Sequence, residues 1–143
     1  MSDLTLSCPH CHVKNRVQVE RLNEAPSCGK CGKPLTQGAP LVLGEDAFEA
    51  LVAASERPVV VDFWAAWCGP CRGFAPVFAA AAARHPQFVF VKVDTDASPQ
   101  LSARLAIRSI PTLAVFHRGR VIDRVSGALP SAQFDQWLAQ AVA

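Results

Sequence analysis

The sequence lacks the segments that carry proteins into or across membranes. No run approaches the roughly 18 consecutive apolar residues of a membrane-spanning helix. The N-terminus has no basic segment followed by an apolar one, which is the pattern of an export signal. We therefore expect a cytoplasmic protein that has no membrane as a partner.

The sequence also has little net charge, and the segment that carries the excess positive charge lacks the aromatic residues on which nucleic-acid bases stack. The formal charge is +2, too small to favour binding to nucleic acid. Residues 1–38 hold the excess, with five basic residues against three acidic ones, and they contain no aromatic side chain. Because single-stranded nucleic acid is bound by stacking on aromatic rings, we expect no nucleic-acid partner.

The composition divides the chain of 143 residues near residue 38. Apolar residues are sparse before this point, and so short a piece buries too little surface to fold alone. Metal binding commonly stabilises such a small module. Gln37-Gly38-Ala39-Pro40 has the composition of a linker. We predict a small module over residues 1–38 and a larger domain over residues 39–143.

No cysteine is left over, because all six lie in three Cys-x-x-Cys pairs. The first two pairs are separated by sixteen residues, a spacing typical of a Zn²⁺ site with four thiolate ligands. This pattern resembles a zinc ribbon and predicts one structural Zn²⁺. The predicted ligands are Cys8, Cys11, Cys28 and Cys31. Two disulfides are the alternative, which a reducing compartment disfavours. His10 and His12 are possible substitute ligands.

Residues 40–143 alternate between strand and helix patterns. Strands are predicted at residues 40–43, 58–64, 88–93, 112–117 and 121–125, and helices at residues 45–56 and 68–84, from Ser98 as N-cap, and at the C-terminal end. The order β-α-β-α-β-α-β-β-α predicts a parallel core that ends in an antiparallel hairpin, with helices on both faces. Pro76 is expected to kink the second helix. Before the linker, residues 13–22 are compatible with a β-hairpin arm.

The third cysteine pair stands in the sequence Trp67-Cys68-Gly69-Pro70-Cys71, directly after an apolar strand. A helix that begins at Cys68 or just after it places free N–H groups beside the Cys68 sulfur, which stabilises its thiolate. Gly69 and Pro70 suit the tight turn, because Pro70 gives up an N–H that the first helical turn cannot use.

These flanks, together with Ile110-Pro111-Thr112 and Gly127, resemble the thioredoxin family along nearly all of residues 40–143. With the four-cysteine module added, the chain is similar to the zinc-binding bacterial thioredoxin 2 subtype. The resemblance implies an α/β thioredoxin fold, a central mixed sheet flanked by helices, with a small N-terminal zinc-ribbon module. It also implies a reductase that acts on oxidised protein substrates.

The mechanism predicted for this dithiol is thiolate exchange. Cys68 attacks the target disulfide, and Cys71 resolves the mixed disulfide that results. Asp62, a carboxylate in an apolar strand, is the predicted proton acceptor for Cys71, since burial raises the pKa of a carboxyl group. The alternative is that Asp62 only pairs with Lys92 on the next strand.

Further residues are expected to contact the substrate. By resemblance, Pro111 is a cis-proline that exposes the backbone of Ile110 to an extended substrate strand. Trp67, Gly69 and Pro70 form the other contact surface, and Gly127 allows close approach.

The resemblance also implies the electron donor. A flavoprotein thioredoxin reductase that uses NADPH would recycle the dithiol, so the chain itself binds no flavin or nicotinamide. We expect a monomer. The competing functions are a disulfide isomerase or oxidase, and a zinc-ribbon adaptor that recruits a partner.

Overall fold

The small N-terminal sheet is seen in a computed structural model that describes residues 3–143. Strand β1 (Asp3–Ser7) pairs antiparallel with β2 (Lys14–Gln18). The predicted hairpin arm over residues 13–22 is wrong in its second half, because Val19–Glu24 forms a 3₁₀ helix that buries Leu22. β1 is not predicted, although Leu4 and Leu6 alternate with polar residues along it and face the core.

The five-stranded sheet has the order β3-β5-β4-β6-β7. Its strands are β3 (Leu41–Val42), β4 (Val59–Trp64), β5 (Val89–Asp94), β6 (Thr112–His117) and β7 (Arg120–Ser126). β3, β5 and β4 are parallel, whereas β6 and β7 run antiparallel and form the predicted hairpin. The predicted mixed sheet is confirmed.

Three helices connect these strands, and they are α1 (Glu45–Ala54), α2 (Gly69–Arg84) and α3 (Pro99–Arg104). A fourth helix, α4 (Ser131–Ala141), follows β7. The predicted order of elements over residues 40–143 is therefore confirmed. Pro76 lies inside α2. No helix within residues 3–143 is long and apolar enough to cross a membrane.

The sheet buries a core on each face because successive residues of a strand point to opposite sides. On β4, Val61 packs in the cluster that contains Phe48 of α1 and Leu101 of α3. The neighbouring Val60 packs in the cluster that contains Phe74 of α2 and Phe134 of α4. β4 is therefore covered on both faces, and its carboxyl end leads directly to the third cysteine pair.

The N-terminal module packs on the face of the sheet that α1 and α3 cover. Leu6, Leu22 and Leu35 lie in the same core cluster as Phe48. Polar contacts reinforce this packing. The Asn23 side chain donates to the carbonyl of Ala54 at 2.9 Å and accepts from the N–H of Glu56 at 2.9 Å. Arg57 donates to the Thr36 hydroxyl at 2.7 Å.

The start of α3 differs from the prediction. Ser98 stands at the N-cap position, but its side chain accepts no hydrogen bond from the helix, and its buried hydroxyl has no partner within residues 3–143. The carboxylate of Glu45 accepts a hydrogen bond from the N–H of Leu101 at 2.9 Å instead. The cap of α3 thus comes from the first residue of α1, far away in the sequence.

Candidate functional site

The third cysteine pair lies at the N-terminus of α2, where β4 delivers the chain. Cys68 is the N-cap of α2, and its sulfur accepts a hydrogen bond from the N–H of Cys71 at 3.2 Å. The two cysteines are joined by a disulfide, with their Cα atoms 5.2 Å apart. The sulfur of Cys68 therefore occupies the positive end of the helix dipole, where a thiolate is stabilised once the bond is reduced.

An open groove of about 450 Å³ runs past Cys68. One wall is the sequence from Trp67 to Pro70, and the opposite wall is the segment from Ile107 to Ile110. Cys71, which is 2% exposed, is not among the lining residues. Cys68, itself 4% exposed, is therefore the cysteine of this pair that lines the groove.

Asp62 is the buried carboxylate on β4, two residues after Val60 and so on the face covered by α2 and α4. It is 0% exposed, and neither carboxylate oxygen has a hydrogen-bond partner in the described part of the chain. Burial raises the pKa of Asp62 to about 7, and the positive charge of Lys92 offsets only part of that rise. A carboxyl group with this pKa exchanges protons at neutral pH.

Lys92 stands beside Asp62 in the parallel β4–β5 register, as the alternative interpretation requires. Its ammonium group, however, lies 4.5 Å from the centroid of the Trp64 ring, and it forms no ion pair with Asp62. A cation over an aromatic face is attracted by the ring quadrupole. Lys92 therefore acts on Asp62 through its charge and not through a direct ion pair, and within residues 3–143 the carboxylate has no hydrogen-bond partner.

The loop before β6 presents a backbone group to the cysteine pair. The Ile110–Pro111 peptide bond is cis, the conformation that the resemblance implies. The carbonyl oxygen of Ile110 lies 3.7 Å from the Cys68 sulfur. Gly127 donates its N–H to the carbonyl of Pro111 at 2.8 Å and has a φ of 111°. Residues other than glycine rarely adopt this φ, so the position favours glycine.

Trp67 forms an exposed surface beside the groove. Its side chain is 68% exposed, and its indole N–H donates to a carboxylate oxygen of Asp96 at 2.9 Å. Asp96 is not predicted as a site residue. A signal for it exists, because it lies two residues after the end of β5 and the carboxyl ends of parallel strands meet at one edge, where ligands bind.

The first four cysteines form a second cluster, and one sulfur atom from each lies within 4.8 Å of the others. The sulfurs of Cys8 and Cys31 are 3.7 Å apart, and those of Cys11 and Cys28 are 3.6 Å apart. Four thiolates around a tetrahedral Zn²⁺, at about 2.3 Å from the ion, lie about 3.8 Å from one another. The donor set and its spacing therefore fit zinc.

Two knuckles of the same geometry build this cluster. The N–H of Cys8 donates to the Val13 carbonyl at 2.8 Å, and the N–H of Cys28 donates to the Lys33 carbonyl at 2.9 Å. The residue after the second cysteine of each pair has positive φ, as in Gly32 at 76°. Glycine is predicted to suit that turn. In the first knuckle His12 takes the same place, with φ of 70°.

Hydrogen bonds stabilise the thiolate form of one cysteine in the cluster, which favours the binding of a cation. The N–H of Cys31 and the amide of Asn15 outweigh burial and lower the pKa of Cys28 to about 6. At Cys31 the N–H of Lys33 favours the thiolate, but desolvation and the other three sulfurs outweigh it and raise the pKa to about 11. The neighbouring sulfurs thus oppose the thiolate form of Cys31, and a positive ion between them would favour it.

Two protein families match this sequence, and each match contains one group of cysteines. Residues 39–140 match the family described as Thioredoxin. Residues 7–33 match the family described as Thioredoxin 2, N-terminal. The first match contains Cys68 and Cys71, and the second contains all four cysteines of the metal-ligand cluster.

Individual relatives agree with these matches. The chain is 43% identical to Thioredoxin C-3 of Corynebacterium nephridii over 137 residues, which cover 96% of this chain and 94% of the relative. It is 42% identical to Putative thioredoxin 2 of Streptomyces coelicolor over 99 residues, which cover 69% of this chain and 73% of the relative.

Solved structures share the fold of the larger part. Plasmodium falciparum thioredoxin superposes with a TM-score of 0.65 at 30% identity, covering 69% of this chain and 96% of that one. Thioredoxin f from spinach chloroplast superposes with a TM-score of 0.69 at 29% identity, covering 74% of this chain and 88% of that one.

Proposed function

The chain belongs to the thioredoxin family and is a thiol–disulfide oxidoreductase that reduces protein disulfides, and from this premise we propose the roles of its individual residues. Cys68 is the attacking nucleophile, and Cys71 is the resolving thiol. The observation that carries this assignment is that Cys68 lines the groove at the N-terminus of α2, whereas Cys71 does not. We therefore assign the first attack on an incoming disulfide to Cys68.

The reaction transfers two electrons and two protons to the target. The Cys68 thiolate attacks one sulfur of the target disulfide, and the second target sulfur leaves as a thiolate that takes up a proton. The Cys71 thiolate then attacks the Cys68 sulfur, which releases the first target sulfur. The products are a target dithiol and the Cys68–Cys71 disulfide, and the structure shows the chain in this oxidised form.

Asp62 is proposed to accept the proton of Cys71 before resolution. Its burial, its raised pKa of about 7 and its lack of a direct partner support this role. In single-turnover experiments, Asp62→Asn should slow resolution of the mixed disulfide and leave the first attack unchanged. The exposed Asp46→Asn serves as the control. Equal resolution rates in wild type and Asp62→Asn would remove Asp62 from the mechanism.

The groove is proposed to bind an extended segment of the oxidised protein. The carbonyl of Ile110, held next to Pro111, is placed to accept a hydrogen bond from a substrate strand near Cys68. Trp67, Gly69 and Pro70 would contact the segment from the opposite wall. A Cβ added to Gly127 would meet no atom within 4 Å, so open space lies beside that backbone.

The N-terminal module is a zinc ribbon, and we propose that it holds one structural Zn²⁺. Four thiolates complete a tetrahedron and leave no open position for a substrate, which separates a structural site from a catalytic one. Zinc analysis of the purified chain should give one ion per chain. Cys28→Ser should abolish tight binding, whereas Cys68→Ser should retain it. Retained zinc in Cys28→Ser would contradict the ligand assignment.

We also propose the partners and the compartment. The family acts on protein substrates with a reductase as donor, and the finer proposal is an NADPH-dependent thioredoxin reductase. The chain itself would then bind no flavin or nicotinamide, and it would act as a monomer without nucleic-acid or membrane partners.

We propose the cytoplasm as the compartment, because a reducing environment keeps the zinc ligands from forming disulfides. Residues 1–38 and 39–143 are proposed as two domains that share one apolar core cluster.

The reducing direction is the remaining choice within this fold. Reduction potentials in the fold run from about −270 mV for thioredoxin to about −120 mV for the strongest oxidant, and a Gly-Pro dipeptide favours the reducing end. A potential above about −200 mV would favour an isomerase or oxidase. Loss of insulin-disulfide reduction in Cys68→Ser would separate the enzyme from a zinc-ribbon adaptor, whose binding would not need Cys68.

A further inference from the structure

Side chains of the edge strand β7 form hydrogen bonds with one wall of the groove. The segment from Ile107 to Ile110 faces Cys68 across the groove. It follows α3 through Leu105 and Ala106, and Ala106 has a positive φ of 54°. A non-glycine residue in this conformation costs free energy and persists only where its surroundings hold it.

Arg124 on β7 supplies such a hold. Its two terminal guanidinium nitrogens donate to successive carbonyls, to Leu105 at 2.5 Å and to Ala106 at 2.7 Å. These carbonyls lie at the C-terminal end of α3, where helical carbonyls lack partners within the helix and a positive charge is favourable. Because the guanidinium is planar and bonds through two nitrogens, it fixes both direction and distance.

The far end of the same segment is also tied to β7 and the residue after it. The hydroxyls of Ser109 and Ser126 are hydrogen-bonded at 3.1 Å. The N–H of Gly127 donates to the carbonyl of Pro111 at 2.8 Å. The groove wall is therefore anchored at both ends, and Arg124 anchors the end that contains the strained Ala106.

We propose that Arg124 is a positioning residue for protein substrates, acting through the groove wall that it holds. The proposal rests on the proposed binding of an extended substrate segment in this groove. A protein substrate needs the wall in place, whereas a small aromatic disulfide needs only the Cys68 thiolate. Arg124 thus contributes to recognition of proteins and leaves the chemistry of the dithiol unchanged.

The test compares two disulfides in the full-length, zinc-loaded chain. Arg124→Gln should raise KM for insulin roughly fivefold, since the loss of two exposed hydrogen bonds weakens the wall and removes no direct contact with the substrate, with kcat within twofold. Its rate with 5,5′-dithiobis(2-nitrobenzoate) and its reduction potential should equal those of wild type. Arg124→Lys, which keeps the charge without the planar guanidinium, should have a KM for insulin between those of wild type and Arg124→Gln. Arg120→Gln is the control, since Arg120 is an exposed arginine on the same strand.

Amide hydrogen exchange gives a second reading that does not depend on catalysis. Exchange at Ile107 to Ile110 should accelerate in Arg124→Gln, and that in α2 should remain as in wild type. An unchanged KM for insulin in Arg124→Gln, or an equal loss of rate with both disulfides, would overturn the proposal. If wild type itself failed to reduce insulin, the proposed function would fail as well, so the two failures are distinguishable.

Discussion

At the scale of single residues, Asp62 carries an electrostatic cost because it is a buried carboxyl group. It is fully buried, and its two oxygens have no hydrogen-bond partner within residues 3–143. An ionised carboxylate in such a place is unfavourable by several kcal/mol. Because Lys92 lies over Trp64, its charge relieves this cost only in part. The proposed proton acceptor is thus destabilising when it is ionised.

This cost predicts how stability depends on pH. The pKa of Asp62 is raised from 3.8 to about 7, so between these values the folded state holds a proton that the unfolded state has lost. The free energy of unfolding should therefore fall as pH rises through this window, by about 1.4 kcal/mol per pH unit. Asp62→Asn should remove that slope and be about 4 kcal/mol more stable than wild type above pH 7.

Urea unfolding of wild type and Asp62→Asn, with the dithiol oxidised in both, measures this difference from pH 5 to pH 9. Changes at the cysteine cluster affect both chains alike and cancel in the comparison. A difference that stays constant with pH would show that Asp62 titrates normally, and the raised pKa would then be wrong.

A second residue, Asn15, is predicted to support the zinc ribbon. Its amide nitrogen lies 3.5 Å from the Cys28 sulfur, and its oxygen accepts from the N–H of Gly29 at 2.9 Å. Groups that orient metal ligands in this way are worth about 10- to 100-fold in affinity. Asn15→Ala should weaken zinc binding by about tenfold in a chelator competition, whereas Gln18→Ala, on the same strand, should not. Equal affinities would assign Asn15 to packing alone.

At the scale of elements, apolar periodicity predicts most strands and helices of residues 40–143, whereas α3 is indicated by Ser98 and Pro99 at its start. The cap of α3 is different, since Glu45 reaches Leu101 across the fold and no local pattern indicates that contact. The role of Arg124 cannot be predicted from the sequence either, because no local pattern around an exposed arginine on a strand indicates which carbonyls it binds. The motif around Cys68 predicts the site because its chemistry is local.

Substitution of two glycines by alanine should change the stability of the chain in opposite directions. Gly73 lies exposed in α2, and a Cβ there meets nothing within 4 Å, so Gly73→Ala should stabilise the chain by about 1 kcal/mol. Gly127 has equal space but a φ of 111°, so Gly127→Ala should destabilise it by about 1–3 kcal/mol. Denaturant midpoints measure both. Effects of the same sign would refute the distinction between space and backbone conformation.

At the scale of the whole molecule, the N-terminal module is part of the larger core. Leu6 and Leu22 pack in one cluster with Phe48, and Asn23 binds the end of α1. A module with so little apolar surface of its own is held by its metal and by this packing. The order of the module and the stability of the larger domain should therefore be coupled.

Removal of zinc tests that coupling. Chelation of the full-length chain should lower Tm by about 5 °C or more, because loss of order in the N-terminal module exposes the apolar surface around Phe48. Re-addition of Zn²⁺ should restore Tm, and Cys31→Ser should resemble the chelated protein. The same Tm with and without zinc would show that the module contributes nothing to the stability of the larger domain.

The central claim, that Cys68 attacks and Cys71 resolves, is tested most directly by trapping the mixed disulfide. Cys71→Ser, mixed with an oxidised protein substrate, should accumulate a covalent complex, and peptide mapping should place the bond at Cys68. Cys68→Ser, treated identically, should form none. A complex that maps to the zinc-ribbon cysteines, or that forms equally in Cys68→Ser, would contradict the account.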